Sequence, residues 1–426
     1  MDKVIYSLLP GLVRVRPSWQ GARLLAVLLL SILLGSGFRL SAQSRPAVDS
    51  LLARIAKQQV QQTDFFYKGS FPAYRRYGIS GRLKADNNIF FTGLIAFTLK
   101  RLRPYLSPEQ RNQCDTIISR AQGAYPYFRN MQGRPTYNFW RTDPPLVFPN
   151  AWFLNLFNAQ QALPDDLDDT AILWLSQNPS DSIVLWVKQL MAAHANGGYG
   201  QVRNTPKYYR ELPAYSTWFG IKMPVDFDFC VLCNVLYFIN DYDLPYDRHD
   251  SATVEVLRRM ITDGAYLNNA AYISPHYGRT PLLLYHVSRL LFDHRIPTLD
   301  SLKPRLLQTT YALYHQADNW LDSTLLSTAA LQLGGRHLPV SVPDTADLYT
   351  SEKTFFVASF SSILPPFWKK ILLQRQWIKY YFVCPAYRQL LYVENKILWE
   401  QGENRTAMLP PADSFFKLCL QLFALL

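Results

Sequence analysis

The sequence predicts an all-α protein in which antiparallel helical hairpins close into a ring, an α/α toroid of about thirteen helices. Three observations predict it. Apolar residues recur at helical spacing along most of the chain. Almost no segment alternates apolar and polar residues as a half-buried strand does. Hydrophobic residues make up 49% of the 426 positions against 18% charged, enough for a large folded core. No strict repeat survives, and an open helical solenoid satisfies the same pairing of helices.

The first 42 residues read as a targeting segment. Arg14, Arg16 and Arg23 precede the apolar run Leu24 to Leu34, and Leu40-Ser41-Ala42 offers small residues for cleavage before Gln43. The run falls short of the roughly 20 residues a membrane span needs, so a signal peptide is preferred over an anchor through residues 24–41. The expectation is an exported protein, periplasmic or extracellular, with residues 43–426 as a single toroid domain. The leader holds five cations and one acid, so its removal lowers the formal net charge from +12 to +8. That surplus favours anionic surfaces or ligands in general. No Lys/Arg-rich block with interleaved aromatics supports nucleic-acid binding.

Helical patterns then follow one another with loops between them. The first are Val48 to Val60, Asn87 to Leu102, Pro108 to Gln122 and Ala151 to Ala162. Next come Asp168 to Ser176, Asp181 to His194, Asp228 to Ile239, Ser251 to Thr262 and Pro281 to Phe292. The last are Ser301 to His315, Ser323 to Leu333, Pro385 to Lys396 and Ser414 to Leu425. Two long loops rich in Pro, Gly and Tyr, Gly123 to Pro149 and Gly197 to Pro224, are natural places for a site on a helical scaffold. With 26 Tyr, 25 Phe and 10 Trp, the chain has rings enough to line a cavity as well as fill a core.

The candidate centre is Asp165-Asp166-Leu167-Asp168-Asp169-Thr170-Ala171, at the start of a predicted helix. Acidic residues there complement the helix dipole, and Asp is a favoured N-cap, which explains two of the four. The others go beyond capping, because neighbouring carboxylates raise one another's proton affinity, and a carboxyl kept protonated this way is a general acid. Asp165 is read as the cap.

Asp166 to Ala171 resembles the DxDDTA signature of class II terpene cyclases, the squalene–hopene and copalyl-diphosphate type. The resemblance implies an α/α toroid in which the middle Asp protonates an alkene or epoxide. By position, Asp168 is then the proton donor, Asp166 and Asp169 hold and polarise it, and Thr170 caps the helix. It implies a small apolar or isoprenoid-like ligand, isomerase or cyclase chemistry, no metal and no cofactor. Asp228-Phe229-Cys230-Val231-Leu232-Cys233-Asn234-Val235-Leu236 looks like the D-x-x-V-x-x-N-x-L helix of toroid proteins. Asp86 to Phe90, Ser274 to Tyr277 and Glu394 to Trp399 are similar to other toroid segments. No QxxxGxW repeat accompanies them, and the length is that of one toroid. Trp140, Tyr137, Tyr215, Trp218, Asp228 and Asn234 are the substrate-binding candidates.

Alternatives remain open. The run also spells DDxxD, as in class I prenyl-diphosphate enzymes, but no second metal motif accompanies it. An exported carbohydrate-active toroid would take an oligosaccharide, with carboxyls roughly 5–10 Å apart such as Asp168 and Asp228, and rings at Tyr215, Trp218, Trp140 and Tyr137 stacking on sugars. A non-catalytic binding or scaffold protein would keep the acids for capping alone. Cys230 and Cys233 read as a buried helical pair rather than a redox or zinc motif. The seven histidines lack metal spacing, and no G-x-S-x-G or phosphate loop is present. Phe367 to Leu373, with Arg375, Trp377 and Lys379, reads as a partly buried segment whose Lys heads reach water. Peripheral contact with a membrane interface is its other reading.

Overall fold

A computed structural model describes residues 47–147, 165–220, 223–350 and 352–407. Eleven helices of nine or more residues dominate it. They are α1 (Val48–Gln58), α2 (Phe90–Leu102), α3 (Pro108–Gln122), α4 (Leu167–Leu175), α5 (Asp181–Ala193) and α6 (Phe229–Asp241). They continue with α7 (Arg248–Thr262), α8 (Thr280–Asp293), α9 (Lys303–Tyr314), α10 (Trp320–Gln332) and α11 (Pro385–Ala407). Each matches one expected helix. The expected helices at 151–162 and 414–425, like the leader, lie outside the described residues.

Side-chain chemistry sorts these helices into two layers. In α2, α4 and α6 nearly every side chain is buried, which demands protein on all sides. In α3, burial is confined to Cys114, Ile117, Ile118 and Ala121, a single stripe, and in α9 to Leu306 and Thr310. The inner set follows: α2 packs on α4, α4 on α6, α6 on α8, α8 on α10, α10 on α11, and α11 back on α2. Outside it, α3 lies on α2, α7 on α6, α9 on α10, and α1 on α11. Lys188 of α5 reaches Asp250 of α7 at 2.7 Å.

Where α2 meets α4 the approach depends on Gly93. A Cβ there would stand 2.6 Å from Leu173 Cδ1 and 3.2 Å from Ile172 Cγ2. Overpacking of this kind costs about 1–3 kcal/mol. Gly93→Val is therefore expected to lower stability by that amount, read from the denaturant midpoint; an unchanged midpoint would refute the close approach.

The interior between these inner helices is partly polar. Arg101 of α2 pairs with Glu394 of α11 and with Asp293 at 3.1 Å. Glu394 also accepts from the Tyr285 hydroxyl (2.7 Å) and Gln332 (3.1 Å). The arrangement joins α2, α8, α10 and α11 through charge as well as packing.

The all-α expectation needs correction: the protein is mainly helical, with short strands. Strands β1 (Ala73–Tyr77), β2 (Leu83–Asp86), β5 (Phe356–Ser359) and β6 (Lys379–Val383) form one antiparallel sheet ordered β2-β1-β6-β5. The registers pair Ala73 with Asp86, Tyr74 with Val383, and Phe356 with Phe382. Two-residue strands β3 (Asp165–Asp166) and β4 (Trp218–Phe219) pair separately. Runs such as Ala-Tyr-Arg-Arg-Tyr are too short to alternate visibly, and although β1 pairs locally with β2, its other partner β6 lies some 300 residues away. Short helices such as Pro366–Leu372 also add to the expected number, giving sixteen α-helices among the described residues. Strands β1 and β2 lead into α2 and strand β6 into α11, so the sheet stands at the starting ends of these inner helices.

The reading of residues 367–379 is reversed in part. Lys369 is wholly buried, while Phe367, Trp368, Ile371 and Trp377 are exposed. Among the described residues no helix is long and apolar enough to cross a membrane.

Candidate functional site

The acidic run is clamped before it enters its helix. Asp166 N–H donates to the Tyr137 carbonyl (2.9 Å) and Leu167 N–H to the Thr217 carbonyl (3.0 Å), so both long loops flank it. Asp166 Oδ1 accepts from the N–H groups of Asp168 (2.7 Å) and Asp169 (3.1 Å). Asp166 is thus the N-cap, satisfying donors the helix leaves open. This corrects the assignment of the cap to Asp165. Asp165 instead gathers the preceding loop, accepting from Asn130 (2.8 Å), Thr136 (2.5 Å) and Asn138 (2.8 Å). Thr170 does not cap either. Its hydroxyl donates to the Asp166 carbonyl (2.6 Å) and accepts from Tyr137 N–H (3.0 Å), stitching loop to helix.

Asp168 is held by groups from one other helix and a turn. Asn234 of α6 donates to Asp168 Oδ1 at 2.6 Å, and the Tyr277 hydroxyl donates to Oδ2 at 2.5 Å. The orientation of the Asn234 amide is fixed because its oxygen accepts from Arg289 of α8. A cation, an amide and a carboxylate therefore form a buried relay: Arg289, Asn234 and Asp168 are 1%, 1% and 4% exposed. Asp228 has a structural task. It caps α6 through the N–H groups of Cys230 (2.9 Å) and Val231 (3.4 Å) and accepts from Ser274 (2.5 Å) and His276 N–H (3.0 Å). That pins the 274–277 turn, and with it Tyr277, over Asp168.

Above these carboxyls lies a cavity of about 50 Å³ lined by Phe139, Trp140, Asp166, Asp168, Thr217, Trp218, Val231, His276, Phe356 and Ala358. Its walls are chiefly rings. Trp140 is fixed by its Nε1–H donating to Asp86 (3.0 Å), which is itself paired with Arg75 at 2.6 Å. The Trp218 ring stands edge-on to His276 with centroids 5.9 Å apart, and His276 stacks on Phe356 at 6.1 Å.

The candidates thus fall into three groups. Asp168, Asp166, Trp140 and Trp218 meet at the cavity. Asn234 and Asp228 support it from below. Tyr137, Tyr215 and Asp169 do not line it: Tyr137 packs edge-on to Trp174 at 5.5 Å, and Tyr215 is wholly buried with its hydroxyl on Asp250 at 2.8 Å. Asp169 is buried with Oδ1 lacking a hydrogen-bond partner among the described residues. Tyr277, His276, Phe139, Phe356 and Arg289 belong to the site without having been singled out. The Ser274 to Tyr277 resemblance pointed towards two of them; nothing local in sequence marks the others.

Burial dominates the electrostatics. It raises Asp168 to about 6, even though the Tyr277 and Asn234 donors favour its charged form. Burial likewise raises Asp228 to about 6, against Ser274 and three backbone donors. Asp166 is raised by burial and then by the Asp168 charge, and Asp169 is raised well above the usual range by burial and by both neighbours. Asp166 and Asp169 titrate jointly with a neighbouring carboxyl. Burial and the Asp168 charge raise the Tyr277 hydroxyl, keeping it a donor, while burial lowers His276, keeping its imidazole neutral. Among the described residues no three His, Cys, Asp or Glu side chains are grouped to hold a metal ion, and Cys230 and Cys233 are free thiols buried in α6.

The chain matches no known protein-family model and no curated protein.

Proposed function

We propose that this protein is an exported acid–base isomerase of isoprenoid-type lipids, built on an α/α toroid and related in chemistry to class II terpene cyclases. One observation carries the reading: the Asp168 carboxyl, tuned by Tyr277 and Asn234, opens onto a cavity walled by Trp140, Trp218, Phe139 and Phe356. The closed ring of six inner helices supports the toroid. An apolar, aromatic lining favours an alkene over an oligosaccharide, since sugar hydroxyls would lose water there without finding partners.

In the proposed reaction Asp168 gives its proton to one carbon of a branched alkene, leaving a tertiary cation on the other. The faces of the surrounding rings stabilise that cation. Loss of a proton from the adjacent carbon back to Asp168 restores the acid and shifts the double bond. Tyr277 and Asn234 make Asp168 a stronger acid than burial alone would allow, and Arg289 holds Asn234 in the donating orientation. A cavity of about 50 Å³ is a third of the roughly 150 Å³ that holds benzene in a dry protein interior. It takes the branched end of a chain and not a coiled polyene, which is why isomerisation is proposed ahead of polycyclisation.

The test is deuterium uptake. Short prenyl alcohols incubated with the protein in heavy water should gain deuterium at the alkene terminus, and no uptake across such alcohols would overturn the reading. The pH dependence follows from the direction of the Asp168 shift. The donor must be protonated, so with the group at about 6 the rate should be level below that pH and fall tenfold per pH unit above it. A rate that rises from pH 6 to 8 would contradict an acid role.

A further inference from the structure

We infer that residues 360–377 form a platform that docks this protein on an anionic lipid surface, beside the cavity. Eighteen large hydrophobic side chains are exposed among the described residues, and six of them fall in this segment. Phe367 is 67% exposed, Trp368 52%, Trp377 50%, Ile363 47%, Ile371 45% and Phe360 40%. Solvent-exposed apolar residues are ordinarily scattered singly. Here the short helix Pro366–Leu372 packs against the Phe360–Ile363 turn, so five of the six come from two touching elements.

The orientation of that helix is imposed from inside. Lys369 is wholly buried, its ammonium donating to the Asn204 carbonyl at 3.0 Å, lying 3.9 Å from Asp226 and 4.6 Å from the Tyr272 ring centre. A buried cation fastened to the body forces Phe367, Trp368 and Ile371 to face outward. A helix free to turn would have buried the rings and exposed the lysine.

Charge selects the occupant. From residue 353 to 393 the chain has no Asp or Glu and six cations: Lys353, Lys369, Lys370, Arg375, Lys379 and Arg388. Lys370 and Arg375 are exposed within the platform itself. Tryptophan rings with basic neighbours suit the bilayer interface, where rings sit at headgroup depth and cations meet anionic lipids. The formal charge of the chain, +12, has the same sign. The platform is continuous with the site, since Phe356 and Ala358 line the cavity just before Phe360 in the chain. It stands on exposure and charge alone, whatever chemistry the cavity performs.

The experiment is quenching of tryptophan fluorescence in the full chain by vesicles with brominated acyl chains, made of phosphatidylcholine alone or mixed equally with phosphatidylglycerol. Quenching is expected with the anionic vesicles, at least about tenfold weaker partitioning with the neutral ones, and loss of the quenched component in Trp368→Phe/Trp377→Phe. The quenched pair reports the platform itself, whatever else in the chain meets the bilayer. Phe367→Ser/Trp368→Ser/Ile371→Ser should lower partitioning about tenfold or more with an unchanged melting temperature. No quenching, quenching unchanged in the Trp→Phe variant, or a stable dimer that the serine variant dissociates would each overturn the proposal.

Discussion

Replacing Asp168 by Asn should reduce the proposed isomerase turnover by about a thousandfold or more while leaving the protein folded. A positioned general acid contributes roughly 10²–10⁴. Asp166 also lines the space, but burial and the Asp168 charge push its carboxyl up to about 8, which makes it the weaker acid. The fold survives for an opposing pair of reasons. The Asn side chain leaves one of the two donors, Asn234 or Tyr277, without its carboxylate oxygen, a cost of about 1–3 kcal/mol. Against that, it removes a charge whose burial is unfavourable enough to raise its proton affinity to about 6. The companion variant Asp166→Asn keeps a good N-cap, because Asn and Asp cap about equally well, and should retain most activity. Steady-state assays with melting curves on both variants decide the matter. Full activity in Asp168→Asn would remove the proton-donor role, and equal losses in both would move it to the pair.

The second large effect is on stability. Glu394→Ala should cost about 3–5 kcal/mol, the usual consequence of deleting one partner of a buried ion pair. Arg101 and Glu394 have side-chain exposures of 3% and 0%, so water cannot replace the lost carboxylate. Tyr285 and Gln332 lose their acceptor in the same stroke, while Asp293 remains paired with Arg101. Glu394→Gln retains acceptor oxygen for Tyr285 and should lose less. Equilibrium unfolding in urea measures both, and a loss below about 1 kcal/mol for the alanine variant would mean that the polar interior is solvated.

Much of the helical layer was legible because buried helices announce themselves. Segments such as Phe229 to Ile239 are apolar on every face, and stripes such as Cys114, Ile117, Ile118 and Ala121 repeat at helical spacing. The sheet was not legible, because its four strands have four or five residues each, and its two local pairs, β1–β2 and β5–β6, are joined by the β1–β6 pairing across some 300 residues. Within the site, Asp168 and Asp166 stood out because like charges crowd there. Trp140 and Trp218 could be nominated only as rings in long loops. Tyr277 and Arg289 carry no local sign of their roles, since each acquires meaning through a partner 109 or 55 residues away. The cap was misassigned by one position because capping is a property of backbone geometry: Asp166 is extended and Leu167 begins the helix.

The contact of α11 with α1 and α2 bears on how the chain is made. The last inner helix, α11, covers the first two helices of the described chain, and strand β6 supplies the inner neighbour of β1. During synthesis α2 emerges with almost no polar face, and its final neighbour follows nearly 300 residues later. At ribosomal rates of about 5–20 residues per second this is a wait of tens of seconds. The nascent chain therefore presents apolar helices in search of a lid, a natural client for a holding chaperone. Chains cut short before residue 385 lose the helix that covers α1 and α2, and aggregation is their expected fate.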